Sequence, residues 1–172
     1  MACVCDRSVR RCHGAVEACE TAAMAHDRND TTVAAVDLAK MTLVVSATHV
    51  LEKTPVGTRI VVEFERVDWR GPRIAAHRKG AAAADWLTLG PDGTGCLDVR
   101  FMLETEDGAS IYVHGLGRNH AAEFTQGAAN YFTFVFETGD ARYAWLNRIT
   151  AIAKGRLQPD GKTIEFAVYE LS

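Results

Sequence analysis

Leu97-Asp98-Val99-Arg100-Phe101-Met102-Leu103-Glu104-Thr105-Glu106-Asp107-Gly108-Ala109-Ser110-Ile111-Tyr112-Val113-His114 is the stretch whose reading decides the fold. From 97 to 105 apolar and polar residues alternate, and a period of two marks a half-buried strand. Asp107-Gly108 turns the chain, and 109–114 alternates again. Two registers are open. A two-residue Asp-Gly loop would set Tyr112 and His114 among Phe101 and Leu103. A three-residue loop, with Gly108 left-handed in a bulge, pairs Thr105 with Ala109. The second gathers Leu97, Val99, Phe101, Leu103, Ala109, Ile111 and Val113 on one apolar face. It leaves Arg100, Met102, Glu104, Ser110, Tyr112 and His114 on the other, with Arg100 opposite His114 and Met102 opposite Tyr112. A slip of one residue would reverse every side chain, so the hydrophobic pattern selects the three-residue loop.

Outward from this hairpin, strand signals follow one another. Residues 42–52 are rich in β-branched side chains, and 58–69 alternate after a Thr54-Pro55-Val56-Gly57 turn. Gly71-Pro72 breaks the run, 73–79 read as a short polar strand, and 84–89 as another, ended by Pro91-Asp92-Gly93. Beyond the hairpin, 115–130 read as a long glycine-containing loop that could serve as a lid. Residues 131–137 read as a strand, 142–154 as a long strand, and 163–171 as the last. No amphipathic helix separates any pair, which excludes parallel crossovers. The expected fold is all-β: an antiparallel barrel of eight or nine strands, closed so that no edge is exposed. A barrel of that size either fills with side chains or holds one small ligand.

The bulk numbers agree with one domain. The chain has 172 residues, 48% hydrophobic and 24% charged, with net charge −3 and a pI near 6.1. Without a basic excess, nucleic acid is not an expected partner. No apolar run reaches the ~18 residues of a membrane helix, and the arginines at 7, 10 and 11 are not followed by a secretory core segment. The expected location is the cytoplasm. Residues 1–40 lack a sustained apolar face, with at most a helical turn or two over 33–40. They read as a loosely attached extension before a barrel domain at 41–172, and Met24 or Met41 could begin a shorter chain. Four of the five cysteines (Cys3, Cys5, Cys12, Cys19) fall in this extension, beside His13. Their spacing fits no paired zinc pattern, so reduced thiols are expected and no metal. Cys96 reads as structural.

Gly57-Thr58-Arg59, Gly71-Pro72-Arg73, Asp85-Trp86, Pro91-Asp92-Gly93, Leu103-Glu104-Thr105 with Asp107-Gly108, Phe136-Glu137-Thr138-Gly139 and Tyr143-Ala144-Trp145-Leu146-Asn147-Arg148 occur in that order. In this the chain resembles the DUF3237 family, also called UPF0311, over about 41–171. The resemblance implies a single lipocalin-like antiparallel barrel. It also implies a lead towards cyclisation or isomerisation of small reactive substrates. The chain departs from the family pattern at Ala82-Ala83-Ala84, at 67–70 and at Thr133, where glycines or an arginine are usual. Those departures imply a reshaped pocket rim.

Three groups could carry chemistry. On the polar face of the hairpin, Arg100, Tyr112 and His114, with Met102 and Glu104, either decorate a solvated wall or line the lumen. In the lumen, a histidine or glutamate could move a proton while Arg100 stabilises an oxyanion. Arg100 and Glu104 are four residues apart, about 13 Å along one strand, so they are no tight pair. Asp85, beside Trp86 and after three alanines, either caps a turn, pairs with an arginine such as Arg73, or is desolvated into a general base. Tyr143, Trp145 and Asn147 share one face of the strand read at 142–154, as pocket walls or as core. No nucleophile elbow, phosphate loop, zinc-protease motif or dinucleotide fingerprint is present.

The expectation is a cofactor-independent isomerase or cyclase with Asp85 as base, Arg100 as oxyanion stabiliser and Tyr112 or His114 as proton donor. Trp86, Met102, Glu104, Tyr143, Trp145 and Asn147 would contact a small apolar substrate. The alternatives are a non-catalytic carrier of small molecules and a homodimerising module of the same fold.

Overall fold

A computed structural model describes residues 31–172. Eight strands run in chain order: β1 (Ala35–Thr54), β2 (Gly57–Arg70), β3 (Ala75–Leu89), β4 (Thr94–Thr105), β5 (Ser110–His120), β6 (Asn130–Glu137), β7 (Ala151–Leu157) and β8 (Thr163–Leu171). Every neighbour is antiparallel, and β8 pairs back onto β1 to close the barrel. The expected register of the central hairpin is present: Arg100 faces His114 and Met102 faces Tyr112. Thr105 N–H donates to the Ala109 carbonyl, and Gly108 sits at φ 87°, the left-handed residue that the three-residue loop requires.

Four boundaries differ from the sequence reading. First, β1 starts at Ala35, not after Lys40. Residues 35–40 pair with β8, and Leu38 and Met41 are buried. The barrel therefore needs part of the stretch that looked like an extension; the N-terminal cysteines lie outside the described residues. Second, 73–79 and 84–89 are one strand bent between Arg78 and Ala83, where the β3–β4 register shifts. Arg78 Nη1 there donates to the Phe64 carbonyl at 2.5 Å, occupying a backbone acceptor where the β2–β3 ladder is open. Third, β5 runs on through Gly115 and Gly117 to His120, followed by the short helix α1 (Ala121–Thr125). Glycine there looked like loop. It is needed because a Cβ on Gly115 would come within 2.3 Å of the Phe134 ring, and one on Gly117 within 2.5 Å of the Tyr131 carbonyl. Fourth, 142–148 are not strand but the 3₁₀ helix Ala141–Arg148, begun by Asp140, whose side chain accepts the Arg142 N–H.

The inward set of β4 and β5 is Leu97, Val99, Phe101, Leu103, Ile111 and Val113, all buried. The half of the bore nearest the 3₁₀ helix is filled. Trp69 meets Phe134 and Phe136 edge-on at 5.9 and 5.7 Å, and Leu146 of the 3₁₀ helix is fully buried. Gly71 permits this closure, because a Cβ there would meet the Leu38 carbonyl oxygen at 2.0 Å. The other half, under α1, is not filled.

Candidate functional site

The open half holds a cavity of about 280 Å³. Its wall is apolar: Val62, Phe64, Leu87, Leu97 and Ile164 from the strands, with Phe124 of α1 at the rim. Three polar side chains interrupt that wall deep in the fold. Asp85 and Asn130 are buried, and Asn119 stands beside Asn130 with its Nδ2 donating to Asn130 Oδ1 at 2.8 Å. Asn119 Oδ1, packed over Gly95, is buried without a hydrogen-bond partner. A buried acceptor left unpaired costs about 1–3 kcal/mol; the packed half carries an orphaned donor of its own, Trp69 Nε1. No Lys, Arg or His lines this cavity.

Asp85 is inside because strand partners share a face. It sits opposite Val62 on β2 and Val99 on β4, and Val99 is buried in the core. Only 7% of it is exposed. Its Oδ1 accepts the Asp98 backbone N–H at 2.9 Å. Burial pushes its pKa up from 3.8 to about 6; the Asp98 N–H pulls it partly down, and the Asp98 charge adds a smaller push upward. Arg73 does not reach it: that guanidinium pairs with Glu170 at 2.7 Å and lies over Trp145.

The other expected catalytic groups are on the opposite side of the wall. Arg100, Tyr112 and His114 alternate with the buried set, so the same period of two that buries Val99 and Val113 turns them outward. They do not share a cavity with Asp85, which corrects the expectation of one catalytic group in the lumen. Arg100 grips Asp98 with two hydrogen bonds, 3.0 and 2.7 Å, and His114 Nε2 lies 2.9 Å from the same carboxylate. Partial burial pushes Asp98 up, but the stronger pull of Arg100 and His114 leaves it below the usual carboxylate range. Asp98 thus faces both ways: its side chain is anchored outside, and its backbone N–H reaches Asp85 inside.

The expected substrate contacts are also dispersed. Trp86 is on the outer surface, 6.0 Å from the Arg100 guanidinium. Glu104 pairs with Lys79 at 3.0 Å. Met102 and Tyr112 border a shallow external depression that Asn147 also reaches. Tyr143, Trp145 and Asn147 belong to the packed end. The Tyr143 hydroxyl donates to Asp107 at 3.0 Å. Asn147 accepts the Thr138 N–H at 2.8 Å and returns its own Nδ2 to the Thr138 carbonyl at 2.9 Å. These contacts tie the motif into the closed end, away from the cavity that holds Asp85.

Sequence reasoning missed Asn119, Asn130 and Phe124 because 115–130 read as loop. The signal that could have found them is the alternation of Gly115, Gly117 and Asn119 with Leu116 and Arg118, which continues the hairpin's period. A larger apolar groove of about 680 Å³ lies outside, against Leu116, Tyr131, Ile152 and Tyr169. It holds no carboxylate or histidine, whereas the smaller cavity holds a buried carboxyl.

The sequence profile of a family described as "Protein of unknown function (DUF3237)" matches residues 35–171, the whole barrel. The chain belongs to the DUF3237 family. Within that frame, this DUF3237 chain is 37% identical over 82 residues to the hydroalkoxylation enzyme phnH of Penicillium herquei, a match spanning 47% of this chain and 46% of that protein. A crystal structure of a beta-barrel like protein from Acinetobacter baumannii has the same fold, with TM-score 0.73 at 24% identity, covering 84% of this chain and 99% of that one. An enzyme from Penicillium herquei is also similar in fold, with TM-score 0.62 at 20% identity, covering 83% and 97%. Among the described residues, no helix is long and apolar enough to cross a membrane.

Proposed function

We propose that this barrel is an enzyme that isomerises or cyclises a small, uncharged, largely apolar molecule by acid–base chemistry at Asp85, using the open half of the lumen as a lipocalin-like guest chamber. The observation that carries the reading is a buried carboxyl, with its pKa raised to about 6, set in an apolar cavity that offers no cation to neutralise a charged guest. A carboxyl poised near neutrality exchanges a proton in either direction, which is what a general acid–base needs. The hydroalkoxylation enzyme that the chain partly resembles suggests the bond change: addition of an O–H across a C=C within one molecule.

The balance is simple. The Asp85 carboxylate takes the hydroxyl proton, the oxygen closes onto one alkene carbon, and the alkene electron pair on the other carbon takes the proton back. The product is an isomer of the substrate. The addition is redox-neutral and consumes no co-reactant. The Asn119–Asn130 amide pair supplies the polar contact that orients the hydroxyl.

Hydroxyl-bearing alkenes incubated with the protein should give a product of unchanged mass and altered retention. Turnover should rise with pH as Asp85 ionises around 6. Asp85→Asn should lower it at least ~100-fold with the fold intact; turnover at the wild-type rate in that variant would remove Asp85 from the mechanism. A carrier of the same guests would show ligand-dependent stabilisation with no product. A self-associating module is favoured by one feature, the outer strip of Leu116, Tyr131 and Val135, each about half exposed (51%, 55% and 48%); a mass that grows with concentration would support it.

A further inference from the structure

The β3–β4 pairing runs to Asp85↔Val99, skips Trp86 and Leu87, and resumes in the same register at Thr88↔Cys96. No residue is inserted, so this is not a bulge. Trp86 and Leu87 keep their partners on the other side, Val61 and Ile60 of β2. An uninterrupted ladder would set Trp86 opposite Asp98. The two groups such a pair shares, the Trp86 carbonyl and the Asp98 N–H, each have another partner. The carbonyl accepts Arg59 Nη1 at 2.6 Å, and the N–H donates to Asp85 Oδ1 at 2.9 Å. Arg59 is half-buried, and no carboxylate pairs with it among the described residues. Arg78 makes a similar bond to the Phe64 carbonyl, but at a stretch where the register has already broken. At Trp86 the register is intact, so the opening is local.

We propose that Arg59 is a positioning residue for Asp85: by occupying the Trp86 carbonyl it holds the β3–β4 ladder open and leaves the Asp98 N–H for the buried carboxyl. Without the guanidinium, the Trp86 carbonyl is free to take the Asp98 N–H, its partner in an uninterrupted antiparallel ladder. The guanidinium removes that competition. Asp98 is kept in place from outside by Arg100 and His114. Of the charged side chains, Asp98 of β4 acts on the carboxyl directly. Arg59 of β2 holds the Trp86 carbonyl, and Arg100 of β4 and His114 of β5 hold Asp98; the cavity side contributes none. The inference rests on the reading of Asp85 as the working carboxyl, and the role of Arg59 is read from NMR titration rather than from turnover.

The experiment is a pH titration followed by amide and side-chain carboxyl NMR on the wild type, Arg59→Met, Arg59→Lys and Asp85→Asn. In the wild type the Asp98 amide proton should move with the ionisation of Asp85, and Asp85→Asn should abolish that inflection. Arg59→Met keeps the aliphatic stem and removes the donor. It should erase the Asp98 inflection and move the Asp85 midpoint upward, since the carboxylate loses its hydrogen bond. Arg59→Lys, which keeps one donor, should restore part of both. An Asp98 inflection retained at the wild-type midpoint in Arg59→Met would overturn the proposal, and so would a wild-type Asp98 amide that ignores Asp85. Should Arg59→Met fail to fold, Arg59→Ala takes its place: an Asp98 inflection retained at the wild-type midpoint in that variant counts against the role. Loss of turnover in Asp85→Asn together with an unmoved Asp98 amide in Arg59→Met would leave the function standing and remove Arg59 from it.

Discussion

The two ends of this barrel are closed by different means. At one end the 3₁₀ helix drives Leu146 into the bore, Trp69 and two phenylalanines fill the space, and Asp107, Tyr143 and Asn147 tie the closing segments together. At the other, α1 is five residues long, buries none of them, and covers a cavity containing a carboxyl and two amides. The difference separates two tasks within one closed sheet. Apolar burial at the packed end stabilises the fold, and that margin lets the open end hold polar groups at a cost. Deleting an apolar side chain at the packed end and deleting the carboxyl's charge at the open end should therefore differ in sign as well as in size.

The largest effect on stability is expected at the packed end. Leu146→Ala removes a fully buried side chain where neighbours cannot collapse, and should cost about 2–5 kcal/mol, read as a lower urea midpoint with an unchanged slope. A small change there would mean that the 3₁₀ helix is a loose cover like α1.

At the open end a substitution should stabilise. The Asp85 pKa is raised on folding, so the folded state prefers the neutral form. Between about pH 4 and 6 the folded protein holds a proton that the unfolded chain has released, and stability falls as pH rises through that window. Asp85→Asn abolishes the penalty. Its gain should be absent below pH 4 and reach at most roughly 3 kcal/mol above pH 6, from a shift of about two units at 1.36 kcal/mol each. Urea denaturation at pH 3.5 and 8 checks this. A variant less stable than wild type at pH 8 would show that the ionised carboxyl is well solvated, and the contrast between the ends would weaken.

This asymmetry explains what the sequence could reveal. The hairpin from 97 to 114 was legible because each inward residue is apolar and each outward one polar or half-buried, so period and burial coincide. The closure onto β1 was legible from the number of strands, although the start of β1 was not: between Ala35 and Lys40 only Val36 and Leu38 are larger apolar residues, too few to read as strand, and β8 supplies the pairing that makes the segment one. The 3₁₀ helix was misread because Tyr143, Trp145 and Asn147 alternate as a strand would, while their partners, Asp107 and Thr138, lie far off in the chain or around the turn. Asp85 could be flagged from its alanine neighbours, but its isolation from Arg100, Tyr112 and His114 could not. Those residues looked like a catalytic set by type, and only the cross-strand register shows that they face outward. Asn119 and Asn130 were hidden by glycines that aromatic rings demand and that sequence reading takes for loop.

A smaller effect tests the assignment of the Tyr-Ala-Trp-Leu-Asn motif. Asn147→Ala deletes two hydrogen bonds to the Thr138 backbone at an exposed position, and should cost about 1 kcal/mol with binding of guests in the lumen unchanged. Weakened binding would return Asn147 to the pocket wall.

The smallest expected change in stability is the most informative about the open end. Phe124 is partly buried and belongs to a helix with no side-chain N-cap bond and no buried residue. An element with so few fixed contacts opens locally at little cost, and Phe124→Ala should lower global stability by no more than about 1 kcal/mol, well under the cost of a fully buried aromatic. Its effect on guests should be larger in proportion, because Phe124 is the aromatic that α1 adds to the cavity rim. Removing it exposes the chamber to water, and water returns solvation to Asp85. Its pKa should then fall back towards 3.8, and the ligand-induced rise in melting temperature should shrink. Amide exchange across 121–125 should be fast in the wild type and unaffected by Leu146→Ala. If Phe124→Ala instead unfolded the barrel as readily as Leu146→Ala, α1 would be a second plug rather than a door, and the cavity beneath it would be a packing defect with no guest to admit.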